Sequence, residues 1–260
     1  AREQAQTLAR GGVYLAMALI QQDEPTVDWI GEAWATPQAT SPTAGHQLTI
    51  TVTDEERKLN INSANHEQLE QLTGSAELAQ AIVDYVDPAA DPAEDRPAET
   101  PPYFAKNGPV DVLEELTDLS PMDDELYRVL REHATAYTTA NGPVNINTVM
   151  PEVLRAMGLS DSTIGLITAY RDGPDGTEEH GEDGVFEAAG VAIVEALGGV
   201  LNDDDRNLLI SNAFGVSSRT FRVVSEATLE RPRSRVRIDA VIQRGSSDGD
   251  VPKIMAWREG

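Results

Sequence analysis

The sequence predicts an α+β fold in which a long N-terminal helix and a small antiparallel sheet carry a large, acidic, duplicated all-α insertion. Three observations predict it. Residues 1–22 place Leu8, Gly12, Leu15 and Leu19 at i, i+4, i+7 and i+11, one face of a helix. Period-two alternation is confined to about 48–53 and to the stretch after residue 220. The segment between them is helical in pattern and repeats itself at an offset of 85, from Leu59 to Val144. The expected divisions are 1–57 (helix and first strand), 58–216 (insertion, with units of about 58–140 and 143–214) and 217–260 (closing strands).

The first element, AREQAQTLARGGVYLAMALIQQ, would be about 33 Å long at ~1.5 Å per residue. Its apolar run, Gly11 to Ile20, is too short to cross a bilayer, which takes roughly 20 apolar residues. On these residues alone it reads either as an amphipathic surface helix or as the distal half of a longer one. Thr36 to Gly45 is a loop by composition. Leu48, Ile50 and Val52 then alternate with threonines, a strand with one buried face. Alternation returns at Phe221–Glu226 and Arg235–Ile242, and a short strand is expected over Ile254–Trp257. The arginines of these strands alternate outward, as on a solvated sheet face.

Charge narrows the function. The 260 residues hold 44 Asp+Glu against 20 Lys+Arg, a net −24. Residues 217–260 hold nine Lys/Arg and six Asp/Glu, a net +3, so the rest carries −27. Such a field opposes binding to a duplex polyanion. The absence of cysteine excludes disulfides, thiolate zinc sites and thiol nucleophiles. His46, His66, His133 and His180 are scattered without zinc spacing. No Gly-x-Ser-x-Gly elbow, phosphate loop or dinucleotide fingerprint occurs. Paired carboxylates abound, but 5% aromatic content leaves few rings to line a sugar cleft. The chain therefore reads as a non-enzyme.

The repeat pairs Leu59-Asn60-Ile61-Asn62-Ser63 with Val144-Asn145-Ile146-Asn147-Thr148 and runs ungapped to Asp87 and Asp172. Each copy places one buried Ile between two asparagines able to bond local backbone. Ser63 and Thr148 are expected to cap the following helices, with Glu67 and Glu152 in the first turns. Second helices begin near Ser75 and Ser160. A loop, a short helix (Pro109–Leu116; Val185–Leu197) and an acidic helix start (Asp123-Asp124-Glu125; Asp203-Asp204-Asp205) follow in each copy, giving four helices per unit.

These units resemble helix-hairpin-helix (SAM-like) modules. Those modules grip phosphate through a glycine hairpin and basic residues, whereas Thr73–Glu77 and Gly158–Ser162 carry acid here. A nucleic-acid-binding module is thus an alternative that the charge disfavours.

Taken in order, the motifs resemble the K-class minor pseudopilins of type II secretion. They are the N-terminal helix, Val27-Asp28-Trp29-Ile30-Gly31-Glu32-Ala33-Trp34, Thr53 to Asn62, Asp84-Tyr85-Val86-Asp87, Pro102-Tyr103, Lys106-Asn107-Gly108-Pro109, Leu113-Glu114-Glu115-Leu116, Val144 to Thr148 and Phe221-Arg222-Val223. The resemblance implies a pseudopilin fold and a leader and membrane segment before Ala1. It also implies a single-pass inner-membrane protein with this domain in the periplasm. Partners would be the I- and J-class minor pseudopilins, met through the Leu8, Gly12, Leu15 and Leu19 face, at the pseudopilus tip. It further implies calcium in the helical domain. Asp84, Asp87, Asp91, Glu94, Asp95 and Glu99 fall within 16 residues and offer the hard oxygen donors that Ca²⁺ takes. Pro92-Ala93-Glu94-Asp95 departs from the family's Gly-Ala-Glu-Asp. A calcium-dependent binding domain is a further alternative. The second loop, Asp172 to Gly184, holds six carboxylates but has Pro174 where an EF-hand places a ligand.

Overall fold

The structure, a computed structural model, describes residues 1–87, 106–173, 176, 184–230, 233–245 and 250–260. Helix α1 spans Arg2–Gln22. Strands β1 (Gln38–Thr40), β2 (His46–Asp54), β7 (Thr220–Glu230), β8 (Arg233–Gln243) and β9 (Lys253–Glu259) form an antiparallel sheet in the order β1-β2-β7-β8-β9. β2 pairs with β7 from His46↔Leu229 to Asp54↔Phe221. Leu48, Ile50, Val52, Phe221, Val223, Ala227, Val236, Ile238, Ala240 and Ile242 are buried beneath α1. The expected alternation thus places one apolar face under the helix. β1 falls in the stretch expected to be loop: it is a three-residue exposed edge, too short and polar for alternation to register.

The seam of α1 differs from the leucine face. The buried residues are Ala5, Ala9, Gly12, Val13, Ala16, Met17 and Ile20. Leu8 and Leu19 flank the seam half-buried, and Leu15 is 45% exposed. Gly12 therefore faces the chain's own sheet rather than a partner. Small residues win the seam because they let the helix axis approach the sheet. A Cβ on Gly12 would lie 2.1 Å from Ser225 Oγ and 3.1 Å from Leu48 Cδ1.

Between β2 and β7 stands the insertion, with its own core. Its first unit contains β3 (Leu59–Asn60), α2 (His66–Thr73), α3 (Ala76–Val86), a 3-10 turn (Leu113–Asp118), α4 (Asp124–His133) and β4 (Ala134–Thr135). The second contains β5 (Val144–Asn145), α5 (Pro151–Ala156), α6 (Asp161–Arg171), α7 (Val191–Leu197), α8 (Asp203–Ile210) and β6 (Phe214–Gly215). The insertion is not purely helical: β3 pairs in parallel with β4, and β5 with β6, so each unit closes on a two-residue bridge. One core runs through both units, joining Leu69 and Leu72 to Val153 and Leu154.

The second helices begin at Ser75 and Ser160 as expected, and these serines cap α3 and α6 by accepting the Leu78 and Thr163 N–H groups. Ser63 and Thr148 are not caps. Asn65 caps α2 in a reciprocal box with Gln68, and α5 starts on Pro151 after Met150. Two residues separate each NIN segment from its cap position, Asn65 or Met150, so the cap falls later than expected.

Gly12→Val should destabilise the protein by about 1–3 kcal/mol by forcing α1 off Ser225 and Leu48. Gly11→Ala, with nothing within 4 Å of the new Cβ, should stabilise it by up to about 1 kcal/mol. Urea unfolding of both variants checks this; equal effects would mean that α1 is not seated through Gly12.

Candidate functional site: the junction and the acidic loop

The two NIN segments show what the repeat builds. In each, the first asparagine Oδ1 accepts the N–H two residues on: Asn60 from Asn62 (2.8 Å) and Asn145 from Asn147 (3.0 Å). The second asparagine clamps returning chain through both amide atoms. Asn62 exchanges bonds with Val110 N–H and C=O, and Asn147 does the same with Phe186. Ile61 and Ile146 between them are fully buried.

The copies diverge at the remaining amide. Asn60 Nδ2 stays within its unit, donating to Thr138 O (2.8 Å). Asn145 Nδ2 leaves its unit and reaches Ser218 Oγ (2.8 Å), Asp28 O (3.0 Å) and Asp54 Oδ2 (3.2 Å). Asp54 is the last residue of β2. Its carboxylate also accepts from Ser218 Oγ (2.6 Å), Thr148 Oγ1 (2.5 Å) and Glu56 N–H (2.8 Å). Burial pushes the Asp54 carboxyl up, against the opposing pull of these donors. Glu56 is pushed up to about 8 by burial and by Asp54 beside it.

A second carboxylate completes the junction. Asp28 takes Arg244 in a two-point pair (2.7 and 3.2 Å) and the Ser218 N–H (2.7 Å). Its own N–H donates to Val216 O. Arg244 also reaches Asp23 (3.0 Å), just past the end of α1. Asp23, Asp28 and Glu32 bring ligand atoms within 4.8 Å of one another, a spacing a metal ion could use. Here Arg244 already supplies the positive charge to Asp23 and Asp28. Glu32 accepts from Trp29 N–H and Trp34 Nε1–H, and burial pushes it up to about 7. Sequence reasoning took Val27–Trp34 as a family signature only. The signal it missed is a pair of acids, Asp28 and Glu32, set among tryptophans and small or apolar residues.

The expected calcium residues divide. Asp84 and Asp87 lie exposed at the C-terminal end of α3, Asp84 accepting from Gln80 Nε2 (2.8 Å). Asp91, Glu94, Asp95 and Glu99 lie outside the described residues, as does most of Asp172–Gly184. The loop's ends are fixed: Asn107 N–H donates to Tyr85 O, and in the second copy Gly184 N–H donates to Tyr170 O. Lys106 turns to Asp111 and Glu115 (2.8 Å each). The Asn62–Val110 span is 48 residues and the Asn147–Phe186 span 39, so the second loop is nine shorter. In the inter-helix turns Gly74 and Gly158 have positive φ (71° and 103°), and Glu77 and Asp161 occupy the next first turns. No helix among the described residues is long and apolar enough to cross a membrane.

Residues 52–139 match the family described as Type II secretion system (T2SS), protein K. The chain is 28% identical over 179 residues to Type II secretion system protein K of Klebsiella pneumoniae, a stretch covering 57% of this chain and 55% of that one. It is 26% identical over 198 residues to the protein of that name from Pectobacterium carotovorum subsp. carotovorum, covering 63% and 60%. The matched stretch is thus less than two thirds of either relative. The fold is similar to a chain in the crystal structure of the GspK-GspI-GspJ complex from the enterotoxigenic Escherichia coli type 2 secretion system. That similarity has a TM-score of 0.76 at 17% identity and covers 99% of this chain and 96% of that one. The resemblance to the protein K family carried by the motifs is borne out.

Asn145→Ala should destabilise the protein by about 2–3 kcal/mol, since it leaves buried Asp54 and the Asp28 carbonyl short of a donor. Asn60→Ala, which loses only the Thr138 contact and its turn, should cost about 1 kcal/mol. Urea unfolding decides it: equal costs would show that the junction does not depend on Asn145.

Proposed function

We propose that this chain, carrying a type II secretion protein K domain over residues 52–139, is a non-enzymatic minor pseudopilin. It assembles with I- and J-class minor pseudopilins, caps the pseudopilus tip and helps start its assembly for protein export. In this reading the domain lies in the periplasm, held to the inner membrane by an N-terminal segment of the kind its family carries.

One observation supports capping above others: where the insertion is mounted. The N-terminal half of α1 lies beside Leu48, low on the sheet. Its far end meets Arg244 at Asp23, and Asp54, Asn145 and Ser218 gather at that same end. A helix that packs into a fibre through its exposed flank, including Leu15 and Tyr14, would therefore carry the bulk of the insertion above it. A further subunit stacked there would clash. The two units descend, in this reading, from one helix-hairpin-helix-like ancestor, which the shared asparagine clamps support.

Calcium in the first loop belongs to the same proposal. Asp84 and Asp87 supply oxygen donors at a helix C-terminus, where carbonyl ends favour a cation. Asp91, Glu94, Asp95 and Glu99 would complete the six to eight oxygens that Ca²⁺ takes.

Purified chain mixed with its I- and J-class partners at micromolar concentration should elute with them from a sizing column. Elution as a separate monomer would overturn the assembly reading. Independently, Ca²⁺ should raise the melting temperature over that in chelator, by about 4 °C or more if it is present at 100 times its Kd. An unchanged melt would remove calcium without touching the assembly.

A further inference from the structure

The sheet face turned away from α1 is not a plain solvated surface. Arg233, Arg235 and Arg237 stand exposed at alternate positions of β8, hence on one face. That face continues through Arg222 on β7 and Arg258 on β9, since Arg222 and Arg258 both adjoin Asp239. It then runs into a groove of about 490 Å³ between sheet and insertion, where Arg128 and Arg131 of α4 stand with Tyr127, Tyr137 and Trp257.

Most carboxylates along the sheet part are already taken; the exception is Glu230, exposed at the end of β7 opposite Arg233. Glu226 holds Arg235 (2.6 Å), Asp239 holds Arg222 (2.8 Å) and Glu114 holds Arg258 (2.6 Å). On the groove's α4 rim Glu132 lies 3.8 Å from Arg128, and Asp124 is exposed at the helix start. Arg131, Arg233 and Arg237 make no ion pair among the described residues; Arg131 lies over the Tyr127 ring at 6.0 Å. Three guanidinium groups without a carboxylate partner among the described residues thus sit on one continuous surface of a chain that is otherwise −27.

We propose that this arginine strip and its groove form a docking surface for an acidic, extended segment of another protein. The inference stands apart from the pilus reading. Charge complementarity selects the occupant: the rest of the chain repels an acidic partner, so only this face attracts it, and the encounter is oriented. Extent selects a polypeptide over a small anion. From Arg233 to Asp239 alone β8 runs roughly 20 Å at ~3.3 Å per residue, and the groove lengthens the path. Guanidinium forks match carboxylates in two-point pairs, and the groove's aromatic rings offer apolar contact between them.

The probe is a dye-labelled Glu-rich peptide of about a dozen residues, followed by fluorescence anisotropy with the full chain. We expect saturable binding that weakens as salt rises. Arg131→Glu with Arg237→Glu should weaken it at least about tenfold, whereas Arg2→Glu, on α1 at the other face, should leave it unchanged. If the charge-reversed variant fails to fold, Arg131→Gln with Arg237→Gln should give a smaller loss in the same direction. Absence of saturable binding, or equal loss with Arg2→Glu, overturns the proposal. Equal binding of an oligonucleotide of matched charge overturns its protein class. Self-association on sedimentation that the Arg131/Arg237 variants abolish assigns the face to a second copy instead.

Discussion

One buried carboxylate holds the architecture together. Asp54 ends the strand from which the insertion departs, and its donors come from three places: Asn145 and Thr148 in the second unit, Ser218 on the return to the sheet, and Glu56 next to it in the chain. An isolated carboxylate at this depth would be strongly disfavoured. The surrounding hydroxyl and amide donors make it tolerable, and each arrives only when its segment is in register. The group therefore acts less as a source of net stability than as a condition on geometry. Asp28 repeats the logic one layer out, tying the segment after α1 to Ser218 and Arg244. The sheet core and the insertion core are separate apolar clusters, so their relative placement rests on this polar seam together with surface ion pairs such as Arg258–Glu114.

The sheet and the repeat were legible because their signals are periodic. Period-two alternation locates β2, β7 and β8, and the NIN pair marks the same point in both units. The α1 seam was not legible from its leucines. Ala5, Ala9, Ala16 and Gly12 are chosen for closeness, and a pattern search that weights large apolar residues passes over them. The helix caps slipped for a local reason: Asn60 and Asn145 each spend their oxygen on an intervening turn.

The junction was half legible. Asparagine was expected to bond backbone, and in both copies it does. Nothing in two matching NIN strings tells that one amide stays at home with Thr138 while the other crosses to Asp28, Asp54 and Ser218. That difference belongs to position in the fold: the second unit adjoins the sheet through Glu56 and Ser218, and the first does not present Asn60 there. A buried Asp near Trp29 and Trp34 was the remaining clue, visible as an acid in apolar company. The arginines of β8 were read correctly as outward-facing. Which of them lack a counterion could not be read: Glu226, opposite Arg237 in the register, pairs with Arg235 instead.

Asp54 and Phe221 are direct cross-strand neighbours. The insertion thus leaves and re-enters the sheet at adjacent points, as a hairpin loop does. Closing such a loop costs entropy that grows only slowly with its length. The junction is therefore a graft site in the architectural sense. A lineage could enlarge, double or trim what stands there while the strand pairing beneath stayed intact. Two successive helical units on one hairpin are what that permissiveness allows.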